Sequence, residues 1–374
     1  MSTKNIVIIG AGFAGTAIAN GLSAKLDPRK YNLILINPRS YGITMVAGAR
    51  MVVSGEQKLE EISFVKLDKL FVNGNGETKV GVVTSIEKTP GGRGGAIVLA
   101  SGERVTYEVL VLASGSAWDR PLNFPAAEAD VIPHITAWRN KFANATNVVL
   151  VGGGAVGIEL AGELRDSYPN QKVTIVQGDK QLLNSTYSSS FRDGMTKRLR
   201  ARGVEIVFDD FVDDIPPEGS LGVTTRRGKR IEKADLVLYT RGPRPNTDFI
   251  NSLGSDSLNG RGYVKVKPTL QLLAHPDIFA AGDIIEWKEQ KQAAKTHGHA
   301  SVVVANVLAY LSGKPVTKPY KGSFEMMVIT NGKSGGMAYF PFFGGFTLGD
   351  WFARLIKSKT LLVPMWRKAL GYTG

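Results

Sequence analysis

Two glycine loops constrain this chain more than any other feature. Gly10-Ala11-Gly12-Phe13-Ala14-Gly15 follows the apolar run 6–9, and Gly152-Gly153-Gly154-Ala155-Val156-Gly157 follows the apolar run 148–151. Each loop opens a segment of helical spacing, with Ala17, Ile18, Asn20 and Leu22 after the first and Ile158, Leu160, Ala161 and Leu164 after the second. Strand, glycine loop and helix in that order make a dinucleotide cradle. The first glycine permits the tight turn, the second admits a pyrophosphate to the backbone, and the third lets helix and strand pack closely. The helix N-terminus then offers free N–H groups and a positive dipole end. One match to this pattern carries a real false-positive risk. Two in the same context imply two nucleotides on one chain, the arrangement of a flavoprotein that holds FAD and takes NADH or NADPH as co-substrate.

The 374 residues suffice for two or three domains with substantial cores. The expected fold is α/β: two Rossmann-like domains in a glutathione-reductase-like arrangement, plus a small α+β C-terminal domain. The order of motifs places the first part of the FAD-binding domain at 1–118 and the NAD(P)H-binding domain at 119–245. The second part of the FAD-binding domain follows at 246–313, and a quinone-site or membrane-interface domain at 314–374. Runs 79–87 and 96–99 read as strands around the turn Gly91-Gly92-Arg93-Gly94-Gly95, and 296–311 reads as a helix.

The chain has no cysteine, which excludes disulfides, cysteine-based zinc sites and thiol nucleophiles. The first strand begins at Asn5 or Ile6, which leaves no room for a cleaved leader, and position 2 is serine where myristoylation needs glycine. No apolar stretch reaches the length of a membrane span; the longest candidate, 300–311, is interrupted by Asn306. These features suit a cytoplasmic protein, soluble or peripherally attached to a membrane. The formal charge of +13 suits solubility with attraction for anionic nucleotides, an anionic membrane surface, or non-specific nucleic-acid binding. Near the C-terminus, helical spacing puts Trp351, Leu355 and Leu362 on one side with Arg354 and Lys357 beside them, downstream of the aromatic run 339–346. Such a tail suits an interfacial element, the mouth of a hydrophobic pocket, or a buried aromatic core.

The motifs Gly10 to Gly15, Ala113-Ser114-Gly115, Gly152 to Gly157 and Gly282-Asp283 stand in the order and spacing of the two-dinucleotide-binding-domain flavoproteins. Within them the chain most resembles the ferroptosis-suppressor family, also called AIF-homologous mitochondrion-associated inducers of death. Gly157-Ile158-Glu159-Leu160, the following Tyr168-Pro169 and the tail Arg354-Leu355-Ile356-Lys357-Ser358-Lys359 carry that likeness. The resemblance implies an FAD-dependent NAD(P)H:quinone oxidoreductase at a mitochondrial outer surface or a lipid droplet. It implies that Asp283, after Gly282, contacts the flavin, that Arg50 lies near the FAD, and that Glu159 binds the nicotinamide carboxamide. It also implies that Lys357 reaches the isoalloxazine and is needed for activity.

Two positions depart from the dinucleotide pattern. Asn37 stands where an acid normally holds the adenosine ribose, and Gln177 stands 20 residues after Gly157, where NADH-selective sites carry Glu or Asp. An amide at 177 removes the repulsion of a 2′-phosphate, so both coenzymes are expected to serve. Gly242 is a further candidate contact to the coenzyme. The helix from 296 would aim its N-terminus at the flavin, whose negative charge its dipole stabilises. His297 and His299 beside it read as packing or polar-contact residues. Disulfide and sulfide chemistry in this superfamily uses cysteines, which the chain lacks, and among the remaining acceptors a hydrophobic quinone is what the resemblance at the Lys357 tail implies. A reductase of ferredoxin or rubredoxin type and an AIF-like nucleic-acid-binding effector are the alternatives, with nucleic acid less favoured.

Overall fold

The computed structural model describes residues 3–373; Ser2 lies outside them. The first domain is built on a parallel sheet ordered Ile278–Ala280, Val109–Leu112, Lys4–Ile9, Tyr31–Asn37, Glu77–Val80. The inner strands read as unbroken apolar runs because helices cover both faces of such a sheet. Helix Phe13–Ser23 packs on helix Thr296–Leu311, with Gly21 directly over Val304. Asn306, which breaks the apolar run of the second helix, is buried. Its amide donates to the carbonyls of Thr269 and Lys318 and accepts from the Lys318 N–H, so it anchors a loop.

The second domain repeats the plan with a parallel sheet ordered Val204–Val207, Lys172–Val176, Asn147–Val151, Leu236–Tyr239. The chain enters and leaves this domain through two short strands, Ser116–Ala117 and Arg244–Pro245, which pair antiparallel with each other. The segment expected as one strand over 79–87 is divided. Glu77–Val80 joins the parallel sheet, while Val83–Lys88 turns into an antiparallel sheet with Gly95–Leu99 and Arg104–Tyr107. Gly81 sits at the change of direction, where a Cβ would fall 2.9 Å from Leu99.

The last domain is an antiparallel sheet of Met327–Thr330, Gly336–Phe340 and Phe346–Leu348, followed by short helices. The amphipathic helix expected from Trp351 to Leu362 is interrupted. A helical turn, Asp350–Ala353, widens into a π-turn over Arg354–Ser358, and Leu361 and Leu362 then take left-handed backbone before helix Val363–Ala369. Trp351 and Leu355 therefore stay exposed together, at 67% and 69%, whereas Leu361 is buried.

One helix, Ala155–Ser167, ties the three parts together. Its acids Glu159, Glu163 and Asp166 are spaced i, i+4, i+7 and so lie along one face. Each meets a partner from outside the helix: Lys357, Arg50, and for Asp166 both Arg202 and the backbone N–H of Lys333. Gly162 lets the turn Asn331-Gly332 touch the helix, since a Cβ there would lie 2.4 Å from the Gly332 nitrogen. Arg50, from helix Gly48–Val53, donates from Nε and Nη2 to the two Glu163 oxygens at 2.9 and 3.0 Å. Both side chains are 1% exposed, and Arg50 Nη2 also donates to the Gly332 carbonyl at 3.3 Å. Burial pushes the Glu163 carboxyl up, and the Arg50 hydrogen bonds oppose it.

Arg50→Ala would leave Glu163 buried without a counter-charge and lose roughly 3–5 kcal/mol, whereas replacing both residues by apolar side chains of similar volume recovers most of it. Urea unfolding of Arg50→Ala against Arg50→Met with Glu163→Leu checks this; equal losses would contradict it.

Candidate functional site

Both glycine loops have the shape a pyrophosphate needs. At the first, Gly10 has φ +102°, and a Cβ would fall 2.4 Å from the Ala113 carbonyl oxygen. A Cβ on Gly15 would fall 1.8 Å from the Gly10 oxygen, yet one on Gly12 would meet nothing within 4 Å. The second loop repeats this. Gly152 has φ +125°, a Cβ on Gly157 would fall 2.1 Å from the Gly152 oxygen, and Gly154 faces open space. In each loop the glycine that caps the helix is left open and the other glycines are packed shut. Gly12 and Gly154 are the N-cap residues of their helices and make no side-chain cap, so the first N–H groups remain for an anion. These residues fit two dinucleotides.

The two amides that departed from the pattern play one role. Asn37 Oδ1 accepts from the Ala11 N–H at 3.1 Å, and its Nδ2 donates to the carbonyls of Arg39 and Tyr41 at 2.7 and 3.2 Å. Gln177 Oε1 accepts from the Gly153 N–H at 2.8 Å, and its Nε2 donates to the Gln181 carbonyl at 3.1 Å. Each side chain braces the second residue of its loop. A carboxylate could accept that N–H but could not donate to the carbonyls, which explains the amide. The Asn37 amide is thus engaged with backbone, not held free for a ribose as its position suggested. Asp179, two residues beyond Gln177, lines the coenzyme cleft, and its Oδ2 accepts from Arg192 at 2.9 Å. Spacing alone gave no reason to look there.

Several of the remaining motifs of the first site lie close together. Ala113 lies against Gly10, Gly282 lies against Ala14, and Ser116 Oγ donates to Asp283 Oδ2 at 2.6 Å. Ser114 Oγ donates to the Asn246 carbonyl at 2.6 Å, Gly115 has φ +70°, and Phe13 packs on Trp366 with ring centres 4.3 Å apart. Arg50 does not join them. Its hydrogen bonds run to Glu163, Gln57 and Gly332, and none reaches the first loop.

A cleft of about 790 Å³ connects the two halves. It runs from Gly152, Gly154 and Gln177 past Arg241 and Gly242 to Asp283, Lys291 and Met327. Lys291 is a cleft residue that no sequence motif marked; burial holds its ammonium below the usual lysine range. Glu159, one helical turn after the cleft residue Ala155, and Lys357, bonded to Val328 next to the cleft residue Met327, are paired with each other. Lys357 Nζ donates to Glu159 Oε1 at 2.7 Å and to the Val328 carbonyl at 3.1 Å, and the Thr330 N–H donates to the same Glu159 oxygen at 3.1 Å. Lys357 lies in the π-turn, a local form that often marks functional sites. Among the described residues, one ammonium hydrogen and Glu159 Oε2 remain uncommitted.

Two dinucleotide cradles, with a cleft running from the second of them to Asp283, define a pyridine-nucleotide-dependent flavin oxidoreductase, with FAD as cofactor and NAD(P)H as electron donor. The chain belongs to the pyridine nucleotide-disulphide oxidoreductase family, whose model matches residues 4–300. It is 46% identical over 321 residues to an FAD-dependent oxidoreductase of Flammulina velutipes, covering 86% of this chain and 99% of that one. It is 28% identical over 380 residues to ferroptosis suppressor protein 1 of Taeniopygia guttata, covering 98% of this chain and 96% of that one. Among solved structures it is similar to the sulfide:quinone oxidoreductase of Aquifex aeolicus, with a TM-score of 0.75 at 17% identity, over 98% of this chain and 92% of that one. That last likeness is one of fold.

The open space at Gly154 gives a test. Gly154→Ala has an ordinary backbone and no clash, so it should fold and retain FAD while raising the KM for NAD(P)H about tenfold or more, because the methyl occupies the pyrophosphate's approach. Flavin content and steady-state kinetics measure both quantities; an unchanged KM would contradict the reading.

Proposed function

We propose that this chain is an NAD(P)H:quinone oxidoreductase. When bound, FAD supplies a two-electron carrier that takes hydride from NAD(P)H and passes both electrons to an acceptor. Around it, the second loop and its helix N-terminus bind the coenzyme pyrophosphate, and the cleft to Asp283 orients the nicotinamide end. Glu159 receives the carboxamide through its uncommitted Oε2. The family takes its name from disulphide substrates, whose reduction uses redox cysteines; this chain has none, so its electrons go to an acceptor that needs no thiol.

The observation that carries the quinone reading is the Lys357–Glu159 pair, which is bonded to Val328 next to the cleft residue Met327. Lys357 is cationic, held in place by two acceptors and left with one free N–H, which suits it to stabilise charge developing on a quinone oxygen and to donate a proton to it. The apolar nature of such a substrate fits the surface around it. Phe343 is 100% exposed at the tip of the last sheet, near Phe342 and Phe346, with Trp351 and Leu355 on the following helical turns. Residues 314–374 carry nine Lys and Arg against two acids, Glu325 and Asp350, and both acids are held in ion pairs. An aromatic tip with basic flanks suits peripheral contact with an anionic membrane or lipid-droplet surface. Among the described residues no helix is long and apolar enough to cross a membrane.

Steady-state assays with quinone in solution and in anionic vesicles test both parts. Lys357→Ala should lower quinone turnover about tenfold or more in either format, whereas Phe343→Ser should lose rate only with vesicles. Undiminished quinone reduction by Lys357→Ala, or faster reduction of a small iron–sulfur protein than of any quinone, would overturn the assignment.

A further inference from the structure

Beneath the Gly282-Asp283 turn lies a buried polar chain with no part in the steps above. The Gly282 N–H donates to His299 Nδ1 at 3.1 Å. That contact occupies the Nδ1 lone pair, so the ring hydrogen is on Nε2, which donates to Glu289 Oε1 at 3.0 Å. The Tyr320 hydroxyl donates to Glu289 Oε2 at 2.8 Å. The His299 and Glu289 side chains are 3% and 2% exposed. A second proton on His299 would have to sit on Nδ1, where the Gly282 N–H already points.

Glu289 carries the charge. Burial alone would raise its carboxyl, but the hydrogen bonds from His299 and Tyr320, with a smaller contribution from the charge of Lys295, hold it below the usual carboxylate range. The neighbouring lysines have other partners: Lys295 Nζ lies 2.7 Å from Glu325, and Lys291 Nζ donates to the Ile285 carbonyl at 2.8 Å. The result is a fixed anion one imidazole ring away from the turn that bears Asp283, at the N-terminal end of helix Thr296–Leu311. Burying a carboxylate is costly, and packing alone would be served as well by an apolar side chain.

We propose that His299 and Glu289 are positioning residues of the FAD site: His299 fixes the Gly282-Asp283 turn through the Gly282 N–H, and the Glu289 carboxylate lowers the midpoint potential of the bound flavin. A negative charge held in a weakly polarisable surrounding opposes the arrival of further negative charge. It thereby favours release of electrons to the acceptor. The proposal rests on FAD as the cofactor and is independent of which acceptor is used.

Redox titration and FAD dissociation of the FAD-loaded protein test it. Glu289→Gln keeps the shape and still accepts from His299 Nε2, while the Tyr320 hydroxyl can turn from donor to acceptor. Its flavin should shift at least tenfold toward the reduced form at a given potential, about 30 mV for a two-electron couple, with FAD binding near that of the parent. His299→Leu should weaken FAD binding tenfold or more, and His299→Asn, whose Oδ1 can replace Nδ1 as acceptor, should restore it. An unchanged potential in Glu289→Gln overturns the role of the charge. Equal FAD loss in His299→Asn and His299→Leu overturns the role of the Gly282 contact.

Discussion

The buried pair between Arg50 and Glu163 is the constraint on which the rest of this structure depends. An apolar contact between domains can slide by an ångström at little cost, but a bidentate ion pair shut away from water cannot. It fixes the helix that follows the second glycine loop against the first domain, and through Gly332 against the last. One turn earlier the same helix presents Glu159 to Lys357, and three residues later it presents Asp166 to Arg202 and Lys333. Hydride transfer between two bound nucleotides requires their reacting atoms to be held close and aligned. A single helix that begins at one nucleotide loop and is bolted to the other two parts meets that requirement.

The same economy appears in the loops. Asn37 and Gln177 occupy equivalent places in the two halves and make equivalent bonds, to Ala11 and Gly153. As departures from an acidic consensus, Asn37 left the FAD expectation in place and Gln177 pointed to use of both coenzymes. In the fold they are braces whose N–H groups answer carbonyls that a carboxylate would repel. Two residues beyond Gln177, Asp179 lines the same cleft and is paired with Arg192.

Much of the fold was legible because its signals are local. The glycine loops, the apolar runs of the parallel sheets and the helix Thr296–Leu311 are each written in a few consecutive residues. What could not be read depends on distance along the chain. Glu159 and Lys357 were each singled out, yet nothing pairs residues 198 apart except the folded chain itself. Arg50 looked like a cofactor contact, and only its Glu163 partner, 113 residues on, reveals its structural work. The tail misled for another reason. Helical spacing does not register a π-turn or two consecutive left-handed leucines, so the apolar face drawn through Leu362 breaks after Ser358. Glu289 and His299 had no motif, since their link to Gly282 depends on which ring nitrogen faces an N–H.

On the proposed function, one flavin serves coenzyme and quinone in turn. Anaerobic double mixing tests it most directly. Stoichiometric NADH or NADPH, added to the FAD-loaded protein alone, should bleach the flavin absorbance, and a short-chain quinone added afterwards should restore it fully without further coenzyme. Flavin that stays bleached in quinone and recovers only with an iron–sulfur protein, or that neither coenzyme bleaches, would contradict the account.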